Sequence, residues 1–172
     1  MENYKKHGYL NLENIKLLKE NKLKDNSIFP PDPERKIYIC VLGAGRGPLV
    51  RKAIDACIEA KINYKIIAID KNKNAFNTLL YLKQKEPKIF DNNVELIYSD
   101  MRKWQPNEKI DIVVSELLGS FGDNESSPEC LISVQKYLSS DSIMIPHSYD
   151  SYIRPVSCPV VWKNVIYLVN NF

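Results

Sequence analysis

Apolar residues in this chain form short runs that alternate with stretches of helical periodicity. The first long run, at positions 37–42, is apolar throughout and stops at Gly43, which is typical of a parallel strand buried on both faces. Strands alternating with helices of about ten to fifteen residues indicate right-handed βαβ crossovers. The sequence therefore predicts a doubly wound α/β fold around a parallel sheet. Further strands are predicted at 65–69, 94–98, 110–115 and 142–145, and helices at 47–60, 75–85 and 128–138.

The two ends of the chain differ from this central pattern. Positions 10–23 carry apolar residues at helical spacing, and the Pro-rich stretch 30–33 indicates a linker. After Pro146 the chain becomes aromatic and β-branched, so we expect a β-rich element to begin there. Three regions result: a helix and linker at 1–36, a sheet domain at 37–147, and a β-rich stub at 148–172.

Composition agrees with one globular domain. The chain has 172 residues, of which 44% are hydrophobic and 26% charged, close to the average for folded domains. No apolar run approaches the ~20 residues that a membrane helix needs, and the N-terminus lacks the apolar core of a signal peptide. We therefore expect an intracellular protein with no membrane partner.

Charge and cysteine content exclude further classes of protein. With 24 basic and 21 acidic residues the net charge is +3, too balanced for a dedicated nucleic-acid surface. The cysteines are far apart and have only two histidines to assist them, so neither a zinc site nor a disulfide framework is indicated. We expect no metal and interpret these residues as buried thiols: Cys40, Cys57, Cys130 and Cys158.

A glycine turn follows the first predicted strand. Gly43, Gly45 and Gly47 precede Pro48, so the backbone can approach a ligand and present helix-terminal N–H groups to a negative group. Pro48 suits the first turn of the next helix. It also stands where the dinucleotide fingerprint requires a third glycine, which disfavours a pyrophosphate ligand. Alone, the motif could equally be a plain strand-to-helix turn.

Acidic residues end the next two strands. Asp70 follows the second strand, where a carboxylate can accept both ribose hydroxyls of a nucleoside, although Asp70 or Asn72 could instead cap the following helix. Asp100, after the third strand, could accept a hydrogen bond from an exocyclic amine such as adenine N6. The alternative for Asp100 is a turn-forming aspartate.

Two further acids lie on the loop after the fourth strand. Glu116 follows the strand directly, and Glu125 comes nine residues later, after two glycines. Two converging carboxylates can share a proton or, when ionised, bind a planar guanidinium. Alternatively, Glu116 caps a turn, and Glu125 or Glu129 caps the next helix. We assign the structural role to Glu129 and the guanidinium clamp to the other two.

These motifs resemble a known family. The segments at 41–50 and 115–121, with Asp123-Asn124-Glu125 and the stretch 127–131, closely resemble the type II protein arginine methyltransferases, which make symmetric dimethylarginine. The resemblance runs from about Ile37 to Tyr152. It implies a Rossmann-like class I S-adenosylmethionine-dependent methyltransferase fold, with S-adenosylmethionine as cofactor and S-adenosylhomocysteine as its product.

The resemblance also implies residue roles. Asp70 stands where the family more often has glutamate, and Glu116 and Glu125 match the paired glutamates that hold the substrate arginine. The implied cofactor contacts are Gly43, Gly45 and Arg46 at the methionine end, Asp70 at the ribose, and Asp100 and Met101 at the adenine.

Other expectations follow from the resemblance. Substrates would be arginine/glycine-rich proteins such as histone tails and RNA-binding proteins, in the cytoplasm or nucleus, with a partner subunit or homo-oligomer left open. The family's aromatic lid, full β-barrel and N-terminal TIM barrel are not matched in this sequence, so we expect low activity from the chain alone. Three alternatives stay open: another S-adenosylmethionine-dependent transferase, a nicotinamide dehydrogenase, and a non-catalytic scaffold.

Overall fold

A parallel β-sheet forms the centre of the structure. The computed structural model describes residues 35–122 and 124–170, so the helix expected at 10–23 and the linker at 30–33 lie outside the described residues. The strands are β1 (Ile37–Leu42), β2 (Tyr64–Asp70), β3 (Val94–Tyr98), β4 (Ile110–Ser115) and β5 (Leu138–Ile145). Their order across the sheet is β3-β2-β1-β4-β5, and each neighbouring pair is parallel.

Helices connect most of these strands. Helix α1 begins at Pro48, which occupies the first turn as expected because its missing N–H costs nothing there. The N-cap of α2 is Asn72, whose side chain accepts hydrogen bonds from the backbone N–H groups of Asn74 and Ala75. The helices are α1 (Pro48–Ala60), α2 (Lys73–Lys85), α3 (Ser127–Gln135) and α4 (Pro159–Asn170). The predicted doubly wound α/β fold is confirmed.

The hydrophobic core lies on both faces of the sheet. Side chains alternate across a strand, so Ile39 and Val41 of β1 pack on one face while Cys40 and Leu42 pack on the other. The first face is covered by α1 and α2 through residues such as Ile54 and Leu79, which are fully buried. The second face is covered by α3, and includes Val134 and Met101. This burial explains why β1 reads as a continuous apolar run.

The last strand is longer than predicted. It begins at Leu138 rather than at 142, and helix α3 ends at Gln135 rather than at 138. Because β5 is an edge strand, several of its residues are partly or fully exposed, among them the polar Ser140 and Asp141. Because these residues are polar, the apolar pattern does not reveal where the strand begins.

The segment after β5 corrects one expectation. No strand is found in the described residues 148–170, and Pro159–Asn170 is the helix α4. The prediction of a β-rich stub at 148–172 is therefore wrong for the described part of that segment. β-branched and aromatic residues suggested a strand, but the polar pair Lys163 and Asn164 is followed by Asn170 two helical turns later. Pro159 also suits a helix start.

None of the helices described in 35–122 and 124–170 is long and apolar enough to cross a membrane.

Candidate active site

The register of the sheet aligns the predicted site residues at one edge. Leu42 of β1 pairs with Ile69 of β2 and with Ser115 of β4. The residues that follow these three are Gly43, Asp70 and Glu116, so the glycine turn and both acids leave the sheet at the same level. The order of the strands reverses between β1 and β4, which is where ligands bind in open α/β sheets.

The turn after β1 depends on glycine. Gly43 has φ 67°, and a Cβ on it would lie 2.9 Å from Cδ2 of Leu117. Gly45 has φ 56°, and among residues 35–122 and 124–170 a Cβ on it would meet only the carbonyl oxygen of Gly43, at 3.9 Å. Within this part of the chain one side of Gly45 is therefore open, which leaves room for a ligand against the backbone. Arg46, in the same turn, is exposed.

Asp70 ties this turn to β2. Its Oδ2 accepts a hydrogen bond from the N–H of Gly45 at 2.7 Å, and its Oδ1 accepts one from the N–H of Asn72 at 2.6 Å. The residue is 8% exposed. Because Asn72 is the N-cap of α2, the alternative that made Asp70 the helix cap is wrong. Each carboxylate oxygen keeps a second lone pair for a ligand, and the ribose role remains a prediction.

Asp100 and Met101 follow β3 in a turn. Met101 is buried against the second core face. Oδ1 of Asp100 accepts the backbone N–H of Arg102 at 3.0 Å, so this aspartate does form the turn that the alternative interpretation predicted. The Arg102 guanidinium binds the same carboxylate and holds the pKa of Asp100 well below its usual range.

The loop after β4 folds back on itself. The N–H of Gly119 donates to the carbonyl of Gly122 at 2.8 Å, and the N–H of Phe121 donates to Oδ1 of Asn124 at 3.2 Å. A Cβ on Gly119 would lie 2.8 Å from Cγ of Glu125. The fold-back thus places the Glu125 side chain against Gly119, three residues beyond Glu116. Both glutamates are exposed.

The residue that caps α3 is neither of the two acids considered for that role. Ser126 is the N-cap, with φ 61° and no side-chain hydrogen bond to the helix. The alternative that made Glu125 the cap of this helix is therefore wrong. Glu129, to which the cap was assigned, lies in the first turn rather than at the N-cap, so that assignment is wrong as well. A negative charge in this turn is nevertheless favourable beside the free N–H groups.

Several contacts of the site were not predicted from sequence. Arg102 pairs with Asp100, and Asn124 organises the loop between the two glutamates. A Cβ on Gly122 would lie 2.5 Å from Cε2 of Tyr149, so that ring covers the loop from the segment after β5. Of these contacts, the one between Asp100 and Arg102 had a signal in the sequence. The signal is their spacing, because an aspartate often accepts a hydrogen bond from the backbone N–H two residues later.

An apolar groove lies beside the loop. It has a volume of about 380 Å³ at the ends of β4 and β5. Leu117 and Leu118 contribute to it from the loop, and Leu131 from α3. Neither Glu116 nor Glu125 is among the described residues that line this groove.

The sheet, the glycine turn and the strand-end acids define a methyltransferase-type α/β protein. A solved Trypanosoma brucei PRMT1 enzyme-prozyme heterotetrameric complex with AdoHcy has a TM-score of 0.56 and 22% identity, covering 64% of this chain and 32% of that chain. At that identity, the likeness concerns the fold alone.

Sequence comparison identifies the family. The model of the PRMT5 arginine-N-methyltransferase family matches residues 4–145. Protein arginine N-methyltransferase skb1 of Schizosaccharomyces pombe is 45% identical over 139 residues, which are 80% of this chain and 22% of the relative. Protein arginine N-methyltransferase 5 of Oryza sativa subsp. indica is 51% identical over 130 residues, 76% of this chain and 20% of the relative. The chain belongs to the PRMT5 arginine-N-methyltransferase family, and its match spans about a fifth of the length of these relatives.

Proposed function

We propose that this chain binds S-adenosylmethionine at the carboxyl edge of its sheet and takes part in methyl transfer to arginine in proteins. The observation that carries the proposal is the alignment of the glycine turn, Asp70 and Glu116 at one level of the sheet. Family membership supports the same activity. Symmetric dimethylation is the product type that we propose.

The residues at this edge fit the cofactor. The open side of Gly45 leaves space against the backbone, and Asp70 keeps lone pairs that ribose hydroxyls can use. Asp100, one strand further out, can accept an N–H from adenine. The order of these groups across β1, β2 and β3 follows the order of methionine, ribose and adenine in the cofactor.

S-adenosylmethionine supplies a methyl group activated on a sulfonium. The acceptor is a guanidinium, which is always protonated near neutral pH and spreads its remaining electron density over its nitrogens. An ordinary base therefore cannot deprotonate the guanidinium before methyl transfer. The protein must instead orient one nitrogen and redistribute the positive charge.

Glu116 and Glu125 suit that task. Two ionised carboxylates bind a guanidinium through paired hydrogen bonds and draw its positive charge toward the nitrogens that they contact. The nitrogen they leave free becomes richer in electrons and is held in line for transfer. The contact of the Glu125 Cγ with Gly119, three residues beyond Glu116, supports this role. A proton then leaves through Glu125 or solvent.

The substrate class follows from the same chemistry. We propose arginine/glycine-rich segments of proteins, including histone tails and RNA-binding proteins, because glycines around the arginine let the backbone approach an exposed loop. A partner subunit or a second copy belongs to the proposal as well, as does a cytoplasmic or nuclear location.

A single-turnover assay tests the proposed function. The chain, in excess over a glycine-flanked arginine peptide, is incubated with methyl-labelled S-adenosylmethionine, and the peptide is analysed by mass spectrometry. We expect label on arginine and none on a matched peptide with lysine in its place. Acid hydrolysis of the labelled peptide should release monomethylarginine and symmetric dimethylarginine. Equal labelling of the lysine peptide, or no binding of S-adenosylhomocysteine by the folded chain, would contradict the proposal.

A further inference from the structure

The carboxylate of Asp100 is held by one neighbouring side chain. Oδ1 accepts Nε of Arg102 at 3.0 Å, and Oδ2 accepts Nη2 at 2.6 Å and Nε at 3.2 Å. Oδ1 also accepts the backbone N–H of Arg102 at 3.0 Å. The two planar groups therefore lie side by side as a fork, which fixes the rotation of the carboxylate as well as its position.

The fork leaves the carboxylate with limited acceptor capacity. An ionised carboxylate has about four lone-pair sites. Arg102 fills three of them with its backbone N–H, its Nε–H and its Nη2–H. The side chain of Asp100 is still 20% accessible. Asp100 can thus accept one more N–H donor, from a direction that Arg102 determines.

The charges around Asp100 keep it ionised. Hydrogen bonds from Arg102 lower the pKa of Asp100 most, and the positive charge of Lys71, at the start of the β2–α2 loop, lowers it further. Cys130 and Glu129 of α3 also act electrostatically on Arg102 and raise its pKa less than Asp100 does. An ionised carboxylate only accepts hydrogen bonds, so it attracts an amino group and repels a carbonyl oxygen.

We infer that Arg102 is a positioning residue that orients Asp100 to select an amino group, rather than a carbonyl oxygen, at position six of the cofactor's purine ring. The inference rests on the proposed function, because it takes the strand-end site to hold an adenosyl group. Arg102 acts only through Asp100 and makes no contact with the ligand itself. Without the fork, the carboxylate would have to be ordered when the ligand binds. Ordering one side chain costs about 0.5–1.5 kcal/mol, which corresponds to a loss of roughly two- to thirteenfold in affinity.

Calorimetry with two ligands tests this inference. S-adenosylhomocysteine and S-inosylhomocysteine, which carries a carbonyl at position six, are titrated into the full chain at neutral pH. For the unchanged chain we expect tighter binding of the adenosyl ligand. Arg102→Gln should weaken binding of the adenosyl ligand roughly two- to thirteenfold and leave binding of the inosyl ligand nearly unchanged, so the preference for the adenosyl ligand falls.

Four further variants complete the design. Asp100→Asn should lower the preference at least as much as Arg102→Gln, and adding Arg102→Gln to it should have little further effect. Arg102→Lys keeps the charge but loses the fork, so it should resemble Arg102→Gln. Lys103→Gln is the matched control, because it removes a neighbouring exposed cation and should leave both affinities unchanged.

The outcomes separate the inference from the proposed function. Arg102→Gln with both affinities unchanged, or with both reduced equally, would overturn the inference, since the second result indicates a merely structural role. Full recovery by Arg102→Lys would overturn it too, because charge alone would then suffice. If the unchanged chain, folded by circular dichroism, binds neither ligand, the proposed function itself fails.

Discussion

The carboxylate of Asp70 accepts the backbone N–H of Gly45 at 2.7 Å, so the acid that ends β2 also fastens the glycine turn that follows β1. A second hydrogen bond, from the N–H of Asn72 at 2.6 Å, joins the same carboxylate to the start of α2. Asp70 therefore connects two of the loops that form the candidate cofactor site, and its loss should affect the site in two ways.

Asp70→Ala should weaken binding of S-adenosylhomocysteine. It removes the predicted ribose acceptor and releases the turn at Gly45. Hydrogen bonds to a charged group contribute about 1.5–3 kcal/mol, so we expect a loss of roughly ten- to hundredfold, measured by calorimetry. Asn72→Ala is the control, because it removes only the helix cap and should lower the free energy of unfolding by about 1 kcal/mol without this loss of affinity. Unchanged affinity in folded Asp70→Ala would contradict the assignment.

Glu116→Gln and Glu125→Gln should each slow methyl transfer while leaving cofactor affinity nearly unchanged. The amide keeps the shape of the side chain but removes the charge that polarises the guanidinium. We expect at least ~100-fold lower rates in the single-turnover assay. The matched control is Glu129→Gln, which changes an acid of the same loop region that lies in the first turn of α3. Near-normal rates in both variants would mean that these acids are structural.

Gly119→Ala should disturb the fold-back of the glutamate loop. A Cβ at this position would lie 2.1 Å from Oδ1 of Asn124 and 2.8 Å from Cγ of Glu125, so both side chains must move. We expect slower methyl transfer together with a loss of about 1–3 kcal/mol in the free energy of unfolding. Adding Asn124→Ala should relieve the shorter contact but not the one with Glu125, so stability should recover more than the rate. Full activity of Gly119→Ala would show that the position of Glu125 does not matter.

The cysteines should differ sharply in reactivity. Burial raises the pKa of Cys57 to about 12 and that of Cys40 further, whereas Cys158 is exposed. Maleimide labelling of the native chain near pH 8, followed by peptide mapping, should therefore modify Cys158 well before Cys40 or Cys57. Comparable labelling of Cys40 would contradict the buried position of β1. The prediction of buried thiols thus holds for Cys40 and Cys57 but not for Cys158, and Cys130 is intermediate.

The same burial gives stability a pH dependence. In the unfolded chain these thiols ionise near pH 9, while in the folded chain they stay neutral. A raised pKa in the folded state means that the stabilisation is fully present below the unfolded pKa and is lost as pH rises. The free energy of unfolding, measured by urea titration, should fall above about pH 9, and less steeply in Cys57→Ala. An equally steep decline in that variant would show that Cys57 does not contribute.

The elements that could be predicted from sequence are those whose apolar residues follow a regular pattern along the chain. Strand β1 was predictable because burial on both faces requires a continuous apolar run, as Ile39 and Cys40 illustrate. The start of β5 was missed because edge residues such as Asp141 are exposed. Helix α4 was missed because its β-branched and aromatic residues suggested a strand, and many of them, including Trp162, are exposed.

The positions of the candidate site residues at the strand ends could be predicted from sequence, whereas their contacts within the loops could not. Parallel strands end at one edge, so the common level of Gly43, Asp70 and Glu116 follows from topology alone. The fork between Arg102 and Asp100 depends on side-chain rotamers, and the contact of Glu125 with Gly119 depends on loop backbone angles. Neither has a periodic signal in sequence.

One titration tests the central claim, that the carboxyl edge of this sheet holds S-adenosylmethionine. S-adenosylhomocysteine and, separately, NAD are titrated calorimetrically into the folded chain, because both ligands carry an adenosine but only one carries a pyrophosphate. The glycine turn with Pro48 in place of the third glycine predicts saturable binding of S-adenosylhomocysteine and no binding of NAD. Binding of NAD with equal or greater affinity, or no binding of S-adenosylhomocysteine, would contradict the account.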